Sequence, residues 1–318
     1  MNLKYSLLRD RFPVLSLLVL LLGPIPAFSD TVYGPVQALA DFQKANYLSI
    51  DQHCDAALNG KDPDPKYFLV RIVQALGRPE NNTPLRTWLS LNNRSSTAWA
   101  SLAMLYKSYV DKSHDQAIDS SQYQSLMNSY KTCLDRALLV APQAAYLYGL
   151  EIECLEGFAP NTDQMESYFK QGQAYDKDCF WVYAGRASYL AHQANPDWGT
   201  LKLFIKGVAD KAPGDSRCRL LPIYYHELYA HTNPGILSAY LAQQENWDDI
   251  KGILGDYVWN HGGDVEACSW YARLGAEAQK YTEAWKQFQK LDDNAYLFGG
   301  WTSKDDFLAK RKLAEQNH

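Results

Sequence analysis

Two histidines, His226 and His231, lie on either side of Glu227 in a helical stretch, and these are the residue types of a zinc protease. A zinc-binding helix needs its histidines four residues apart, because only then do both rings reach one metal ion. Here five helical steps separate them, which turns the second ring by about 140° from the first. We therefore expect no metal site. We expect His226 to be half-buried and His231 to lie near the C-terminal end of the helix, where a positive charge on its ring would interact favourably with the helix dipole.

Neighbouring carboxylates occur in three pairs, at residues 248–249, 292–293 and 305–306. Acid–base catalysis needs two acids that face one substrate, whereas neighbours on a helix diverge by about 100°. These pairs are therefore expected to be solvated caps and turns. The chain also lacks the Gly-x-Ser-x-Gly elbow of serine hydrolases and a phosphate-binding glycine loop. The sequence thus predicts no catalytic residue and no cofactor, and an enzyme is the less favoured class.

Aromatic residues are abundant, with 22 Tyr, 11 Phe and 9 Trp, and at helical spacing most of them should pack in the core. A group beside the turn at residues 196–199 is the exception. This candidate binding site consists of Phe180, Trp181, Tyr183 and Trp198. On a concave surface such rings could hold a peptide or a polysaccharide segment, and simple packing between repeats is the alternative.

Six cysteines follow residue 29, and none has the C-x-x-C spacing of a metal site. Cys133 and Cys154 are about equally far from Pro142, so they would lie level on antiparallel helices that meet there and could form a disulfide. Cys179 and Cys218 both begin parallel helices of successive pairs, which is a weaker case because such helices lie ~8 to 10 Å apart. A protein with six free thiols is the alternative.

Helices must position all of these residues, because apolar residues recur at helical spacing almost everywhere after Pro35 and strand-like alternation is scarce. The fold class is therefore predicted as all-α, built from antiparallel helix pairs. A kink is expected at Pro222 and a loop at residues 111–120. The predicted helices are 35–58, 67–76, 84–90, 96–110, 121–140, 144–158, 165–175, 179–193, 200–211, 215–231, 234–244, 247–259, 264–279 and 282–291.

The last helix pair follows the pattern of a tetratricopeptide repeat. Small residues, Ala272 and Ala284, are placed at the helix crossing, with the aromatic Tyr281 and Phe288 beside them. Gly275 stands where that pattern has an aromatic residue, and the proline after the second helix is absent. A second partial repeat ends at Pro142, so the pairs are predicted to stack as a tetratricopeptide-like α-solenoid.

Pro196-Asp197-Trp198-Gly199 is the most specific of a set of motifs that extends from about residue 42 to residue 229. The other members of the set are Trp88, Trp99, Tyr106, Phe169, Phe180-Trp181, Tyr183 and the stretch 134–142. Together these residues resemble a family of bacterial domains of unknown function whose members look like divergent helical repeats, although the glycine-rich turn after the tryptophan is shorter here. The resemblance implies a helical fold, no established activity and no catalytic residues.

The N-terminal residues predict export. Three basic residues precede an apolar run at residues 12–22, and a small-x-small site ends at Ser29. The run is about half of the ~20 residues that a transmembrane helix needs. We expect a cleaved signal peptide at residues 1–29, with an uncleaved anchor as the alternative, and a helical-repeat domain at 30–318 with a possible subdivision near 232–263. The periplasm is the first predicted location and secretion is the second.

Charge argues against a nucleic-acid partner, since 31 Lys and Arg oppose 36 Asp and Glu in the whole chain. No later apolar run approaches membrane-spanning length. The sequence therefore predicts an exported helical-repeat protein that binds another protein through a concave surface. The alternatives are an envelope-glycan hydrolase whose carboxylates are brought together by the fold, and a periplasmic inhibitory or immunity protein.

Overall fold

Helices form most of the protein in the part described by the computed structural model, which is residues 33–60, 63–113, 119–232, 237–262 and 264–318. Within these ranges there is no β-strand, which confirms the predicted all-α class. None of the helices in the same ranges is long and apolar enough to cross a membrane. The predicted signal peptide and residues 114–118 of the predicted 111–120 loop lie outside the described residues. The loop is shorter than predicted, because residues 111–113 belong to the helix Ser96–Ser113 and residue 120 begins the helix Ser120–Val140.

Sixteen α-helices are present in the described chain, and short 3-10 turns join several of them. The helices are α1 (Pro35–Gln43), α2 (Tyr47–Asn59), α3 (Pro63–Leu76), α4 (Asn82–Leu91), α5 (Ser96–Ser113), α6 (Ser120–Val140), α7 (Ala145–Cys154), α8 (Thr162–Tyr175), α9 (Phe180–Ala191), α10 (Trp198–Lys211), α11 (Leu221–His231), α12 (Leu237–Ala242), α13 (Gln244–Asn260), α14 (Val265–Glu277), α15 (Tyr281–Phe288) and α16 (Lys304–Asn317). The 3-10 turns are Pro79–Asn81, Leu155–Gly157, Arg217–Leu220 and Ala295–Leu297.

The predicted 35–58 helix is divided into α1 and α2. Ala45 has a φ of 54°, in the left-handed region, which ends α1. The Asp41 carboxylate accepts hydrogen bonds from the Asn46 side-chain amide at 3.2 Å and from the Ser49 hydroxyl at 2.9 Å. Such side-chain bonds compete with the helical backbone pattern, so one predicted helix becomes two.

Two further differences concern the C-terminal half. Pro222 does not kink a helix but stands in the first turn of α11, where a missing backbone N–H costs nothing. Helix α16 was not predicted, because few of its residues are apolar and only Phe307 and Ala314 are buried. Its N-cap is Ser303, whose hydroxyl accepts a hydrogen bond from the Asp306 N–H at 3.0 Å.

Neighbouring helices pack in an alternating manner. Consecutive helices such as α5 and α6 are in contact, and contacts also skip one helix, from α3 to α5, from α7 to α9 and from α9 to α11. Helices α14 and α15 approach closely, since a Cβ at Gly275 would lie 3.2 Å from Ala284 Cβ. Helix α3 also contacts α7 and α9, so α7, α9 and α11 form one row of neighbours and α3 joins that row to α5.

Early and late parts of the chain meet at α3. Arg71 of α3 forms an ion pair with the buried Glu266 of α14, although 195 residues separate them. Phe68 lies edge-on to Phe298, with ring centroids 5.8 Å apart. Tyr67 belongs to the apolar core of the C-terminal helices and stacks on Trp181 at 5.3 Å. These contacts bring α3 and α14 together and leave a cavity among the helices between them.

Candidate functional site

A cavity of about 750 Å³, here called the central cavity, lies among α3, α5, α6, α7, α9, α11, α14 and α16. Each of these helices contributes side chains to its wall. The volume is in the range of small-molecule and peptide-binding clefts, ~300 to 1,000 Å³. We take the central cavity as the candidate functional site.

Two glycines on the cavity wall let α7 and α9 touch. A Cβ on Gly149 would overlap the carbonyl oxygen of Trp181, and a Cβ on Gly185 would overlap the carbonyl oxygen of Gly149. Only glycine permits this approach of two helix backbones. The contact fixes the position of α7 relative to α9, and with it the side chains that both helices present to the cavity.

Aromatic rings form one wall of the central cavity. Phe180 lies 6.4 Å from Trp270 and 6.2 Å from Tyr224, measured between ring centroids. Trp181 donates its indole N–H to the Tyr67 carbonyl oxygen at 3.0 Å. Because Phe180, Trp181, Tyr224 and Trp270 all line the cavity, a ligand against this wall would meet aromatic side chains.

The four predicted binding residues do not form one surface. Phe180 and Trp181 line the central cavity, but Tyr183 lies elsewhere and packs on Phe169 at 5.6 Å. Trp198 packs on Tyr229 at 4.9 Å, next to α11. Trp181 and Tyr183 are two residues apart on α9 and so point about 200° apart around the helix. Helix geometry therefore separates residues that are close in sequence.

Two glutamates form an acidic end of the cavity where α7 passes into the turn Leu155–Gly157. The Lys107 ammonium lies 3.5 Å from a Glu153 carboxylate oxygen and 3.0 Å from Asp111. Glu156 Oε2 lies 3.1 Å from His192 Nδ1, whereas Glu156 Oε1 is buried without a hydrogen-bond partner in the described chain. The single positive charge of Lys107 is thus shared by several carboxylates, and these carboxylates outnumber it.

The protonation of Glu156 follows from this arrangement. Burial, followed by the charge of Glu153, raises the pKa of Glu156 to about 8, while a hydrogen bond from Ser188 and the charge of Lys107 act in the opposite direction. Burial, Glu153 and Glu156 likewise raise the pKa of Tyr224. Near neutral pH the cavity therefore holds a protonated Glu156 beside a neutral tyrosine.

Cationic side chains on the cavity wall are all engaged by carboxylates. Arg71 pairs with Glu266 and Arg273 with Glu227, on the side of α14. Lys310 of α16 pairs with Glu277 and, at 3.0 Å, with Asp306. Asp306 belongs to a predicted carboxylate pair, and its place at the cavity was not foreseen. Lys107 completes the set, so no lysine or arginine on the described wall is without a carboxylate partner.

Histidine 226 lies in a different place from the central cavity. It is fully buried, not half-buried as predicted, with Nδ1 2.9 Å from the Tyr240 hydroxyl and Nε2 3.1 Å from Asp249. Burial lowers its pKa. His231 is the last residue of α11 and lines the central cavity, so the His226 and His231 rings lie on different surfaces. In the described chain no cluster of three His, Cys, Asp or Glu side chains could hold a metal ion.

The predicted disulfides are not formed, and all six cysteines are free thiols. Cys133 borders a depression between α5 and α6, beside Trp99. Cys154 instead lies near Glu151 and Lys131, which influence the pKa of its thiol. Both cysteines belong to the same apolar core, but their sulfur atoms are not at bonding distance. The turn at Pro142 determines how far along each helix the two cysteines lie, but not the direction in which their side chains point around the helix.

The second predicted pair is separated for another reason. Cys179 stands at the N-terminal end of α9, and Cys218 lies in the turn before α11. The Cys218 thiol donates a hydrogen bond to the Asp178 carbonyl oxygen at 3.2 Å. The two cysteines are therefore near each other but not at bonding distance, in accord with the usual spacing of packed helices.

Sequence reasoning missed Arg71, Glu153, Glu156, Tyr224 and Trp270, because they come from distant parts of the chain. One local signal was available. Helix α7 is buried along almost its whole length, and acidic residues in such an apolar segment are costly unless they serve a site or a partner.

A scan against known protein families matches no family model, and a search of curated proteins finds no match. The resemblance to a bacterial helical-repeat family is thus neither confirmed nor contradicted.

Substitution of Glu156 by Gln should stabilise the protein at alkaline pH. The folded-state pKa of Glu156, about 8, is above its ordinary value of 4.5, so its contribution to stability is complete below pH 4.5 and is lost as the pH rises through 8. Gln cannot ionise and avoids this loss. Above pH 8 we expect Glu156→Gln to unfold with a free energy roughly 1 to 3 kcal/mol higher than the wild type. The difference should vanish at low pH.

Urea unfolding at several pH values, followed by circular dichroism, measures this effect. Glu315→Gln is the matched control, because Glu315 is exposed on α16. Equal stabilities of Glu156→Gln and wild type across the whole pH range would contradict a raised Glu156 pKa.

Proposed function

We propose that the protein is an exported helical-repeat binding protein that holds a segment of another protein in the central cavity. The α-helices are interpreted as antiparallel pairs stacked as a tetratricopeptide-like α-solenoid, and α3, α5, α7, α9 and α11 form its inner surface. Export to the periplasm rests on the predicted signal peptide. The observation that carries the proposal is the central cavity, with its aromatic wall and its inward polar groups.

Two buried polar groups support binding at this cavity. The Tyr130 hydroxyl and the Trp270 indole N–H have no hydrogen-bond partner in the described chain, and both residues line the cavity. They are 2% and 3% exposed, respectively. Buried polar groups are nearly always hydrogen-bonded in proteins. A polypeptide offers carbonyl oxygens at regular intervals, so a bound segment can accept from both donors.

Blocking the cavity should abolish capture of the partner. Thr302 and His231 are exposed residues on the cavity wall, so Thr302→Trp and His231→Trp place an indole at the opening with little effect on the core. From an extract of the cells that make the protein, we expect each variant to recover at least tenfold less partner than the wild type recovers. The reason is that the bound segment and the new indole compete for the same volume. Affinity capture with quantitative mass spectrometry measures this.

Thr87→Trp is the control, because Thr87 is exposed on α4 and does not line the cavity. Capture that is unchanged in both cavity variants would contradict the proposal. If the captured partner is a toxin and the protein neutralises it, the protein is an inhibitory or immunity protein that acts by binding.

Glycan hydrolysis is the second candidate, and the raised pKa of Glu156 favours it. A carboxyl that stays protonated near neutral pH can act as a general acid towards a glycosidic oxygen. However, Glu153, the nearest second acid along the chain, lies three residues earlier, and so on the same side of the cavity and not across from Glu156. Release of reducing ends from cell-wall glycan that disappears in Glu156→Gln would support hydrolysis over binding.

A further inference from the structure

We infer that the acidic end of the central cavity, formed by Glu153, Glu156, Tyr130 and Tyr224, binds the ammonium or guanidinium group of a lysine or arginine side chain in the captured polypeptide. This inference rests on the proposed binding function and names the chemistry that the cavity selects.

The charges around the central cavity favour a cation. Six carboxylates line it, namely Asp111, Glu153, Glu156, Glu227, Glu277 and Asp306, against four cations, Arg71, Lys107, Arg273 and Lys310. The cations near α14 and α16 are paired with their own carboxylates. At the acidic end of the described wall, Lys107 is the one lysine or arginine near Asp111, Glu153 and Glu156, and His192 lies 3.1 Å from Glu156. The excess negative charge therefore lies at Glu153 and Asp111 near neutral pH, and Glu156 adds to it when its carboxyl ionises.

Unpartnered polar atoms point to the same place. Glu156 Oε1 and the Tyr130 hydroxyl both lack a hydrogen-bond partner within the described chain, and the charges of Glu153 and Glu156 act on Tyr130. A bound ammonium carries three N–H donors and a guanidinium carries five. Such a group can donate to Glu156 Oε1, to Glu153 and to the Tyr130 oxygen together. A neutral amide carries only two N–H donors and brings no positive charge to balance Glu153.

Aromatic rings complete the proposed subsite. Tyr224 lies close enough to Glu153 and Glu156 for their charges to affect it, and Phe180 lies 6.2 Å from the Tyr224 ring. The aliphatic stem of a lysine or arginine packs on such rings while its charged end reaches a carboxylate. Cations are also attracted to aromatic faces. The arrangement therefore fits a long basic side chain as a whole.

Binding of a cation should couple to the protonation of Glu156. Near neutral pH its carboxyl is protonated, because burial and Glu153 raise its pKa. An incoming cation favours the ionised carboxylate, so Glu156 releases a proton when the side chain binds. The groups around Glu156 are Glu153, Asp111, Lys107, Ser188 and His192, together with the hydroxyls of Tyr123, Tyr130 and Tyr224 on α6 and α11. The affinity for a basic peptide should therefore increase as the pH rises towards 8.

The test uses the purified protein and acetylated, fluorescein-labelled peptide pools of random neutral sequence. The pools differ at one central position, which is Lys, Arg, the uncharged norleucine, or Glu. Fluorescence anisotropy gives the dissociation constant of each pool. We expect the Lys and Arg pools to bind about tenfold more tightly than the norleucine pool, because one charge-assisted hydrogen bond typically lowers a dissociation constant by about that factor.

The variants Glu153→Gln and Glu156→Gln should each remove most of this preference, and Glu315→Gln should leave it unchanged. In Glu156→Gln the preference should also lose its increase with pH. Equal binding of the Lys, norleucine and Glu pools would overturn the inference and leave the proposed function standing. Binding of no pool would contradict the proposed function itself. If n-butylammonium alone competes as tightly as the Lys pool binds, the ligand is a free small cation, and a polypeptide source is overturned.

Discussion

Replacement of Gly185 by Ala is expected to destabilise the protein by about 3 kcal/mol or more, at the upper end of what overpacked sites cost. The new Cβ would overlap the carbonyl oxygen of Gly149, which belongs to the helix backbone and cannot rotate away. Gly149→Ala should behave in the same way, because its Cβ would overlap the Trp181 carbonyl oxygen. To relieve either overlap, α7 and α9 must separate along the wall of the central cavity.

The control for this prediction is Gly207→Ala on α10. A Cβ there meets no atom within 4 Å. Alanine is the better helix former, so we expect this variant to gain roughly 0.5 to 1 kcal/mol. Urea unfolding of the three variants measures the free energies. An unfolding midpoint of Gly185→Ala equal to that of the wild type would show that α7 and α9 do not touch as described here.

Loss of the Arg71 guanidinium is the second large effect that we expect. Arg71→Met should cost about 3 to 5 kcal/mol, because it leaves the Glu266 carboxylate buried without its counter-charge. Glu266 is completely buried, and its other partner is the Gly299 backbone N–H at 3.2 Å. A single N–H cannot compensate a buried carboxylate. The contact between α3 and α14, and hence the closure of the central cavity, should weaken.

A double-variant cycle separates the ion pair from other effects. Arg71→Met with Glu266→Leu should be less destabilised than Arg71→Met alone, since no charge is left buried. Lys206→Met is the control, because Lys206 and Asp210 form an exposed pair at 3.2 Å whose loss should cost less than about 1 kcal/mol. Additive losses in the cycle would mean that Arg71 and Glu266 do not interact.

Helix content and many helix ends could be predicted because their causes are local. Apolar spacing of three and four residues defines a buried helix face within a single segment. Helix N-caps also join residues that are about three positions apart in the chain. Asp197 accepts a hydrogen bond from the Thr200 N–H at 3.0 Å and precedes the predicted helix 200–211, and Asp264 accepts from the Ala267 N–H at 2.9 Å and is the first residue of the predicted helix 264–279. The missed α16 has a good cap but too few apolar residues for its pattern to be recognised.

The candidate site could not be predicted in the same way. Phe180 and Trp181 were identified as aromatic residues near a turn, but the cavity around them also needs α3, α11 and α14. A side chain's direction around its helix decides which surface it joins, as Trp181 and Tyr183 on α9 show. That direction depends on which helices pack together.

By itself, the sequence determined that this protein is all-helical and where most of its helices begin and end, because hydrogen bonds and caps join residues three or four apart. Only the tertiary structure decided that α3 meets α14 and that Glu153 and Glu156 share one lysine at the end of a cavity. The reason is physical. Burial, ion pairing and pKa depend on atoms that lie close in space, and in this fold such atoms come from residues as far as 195 positions apart.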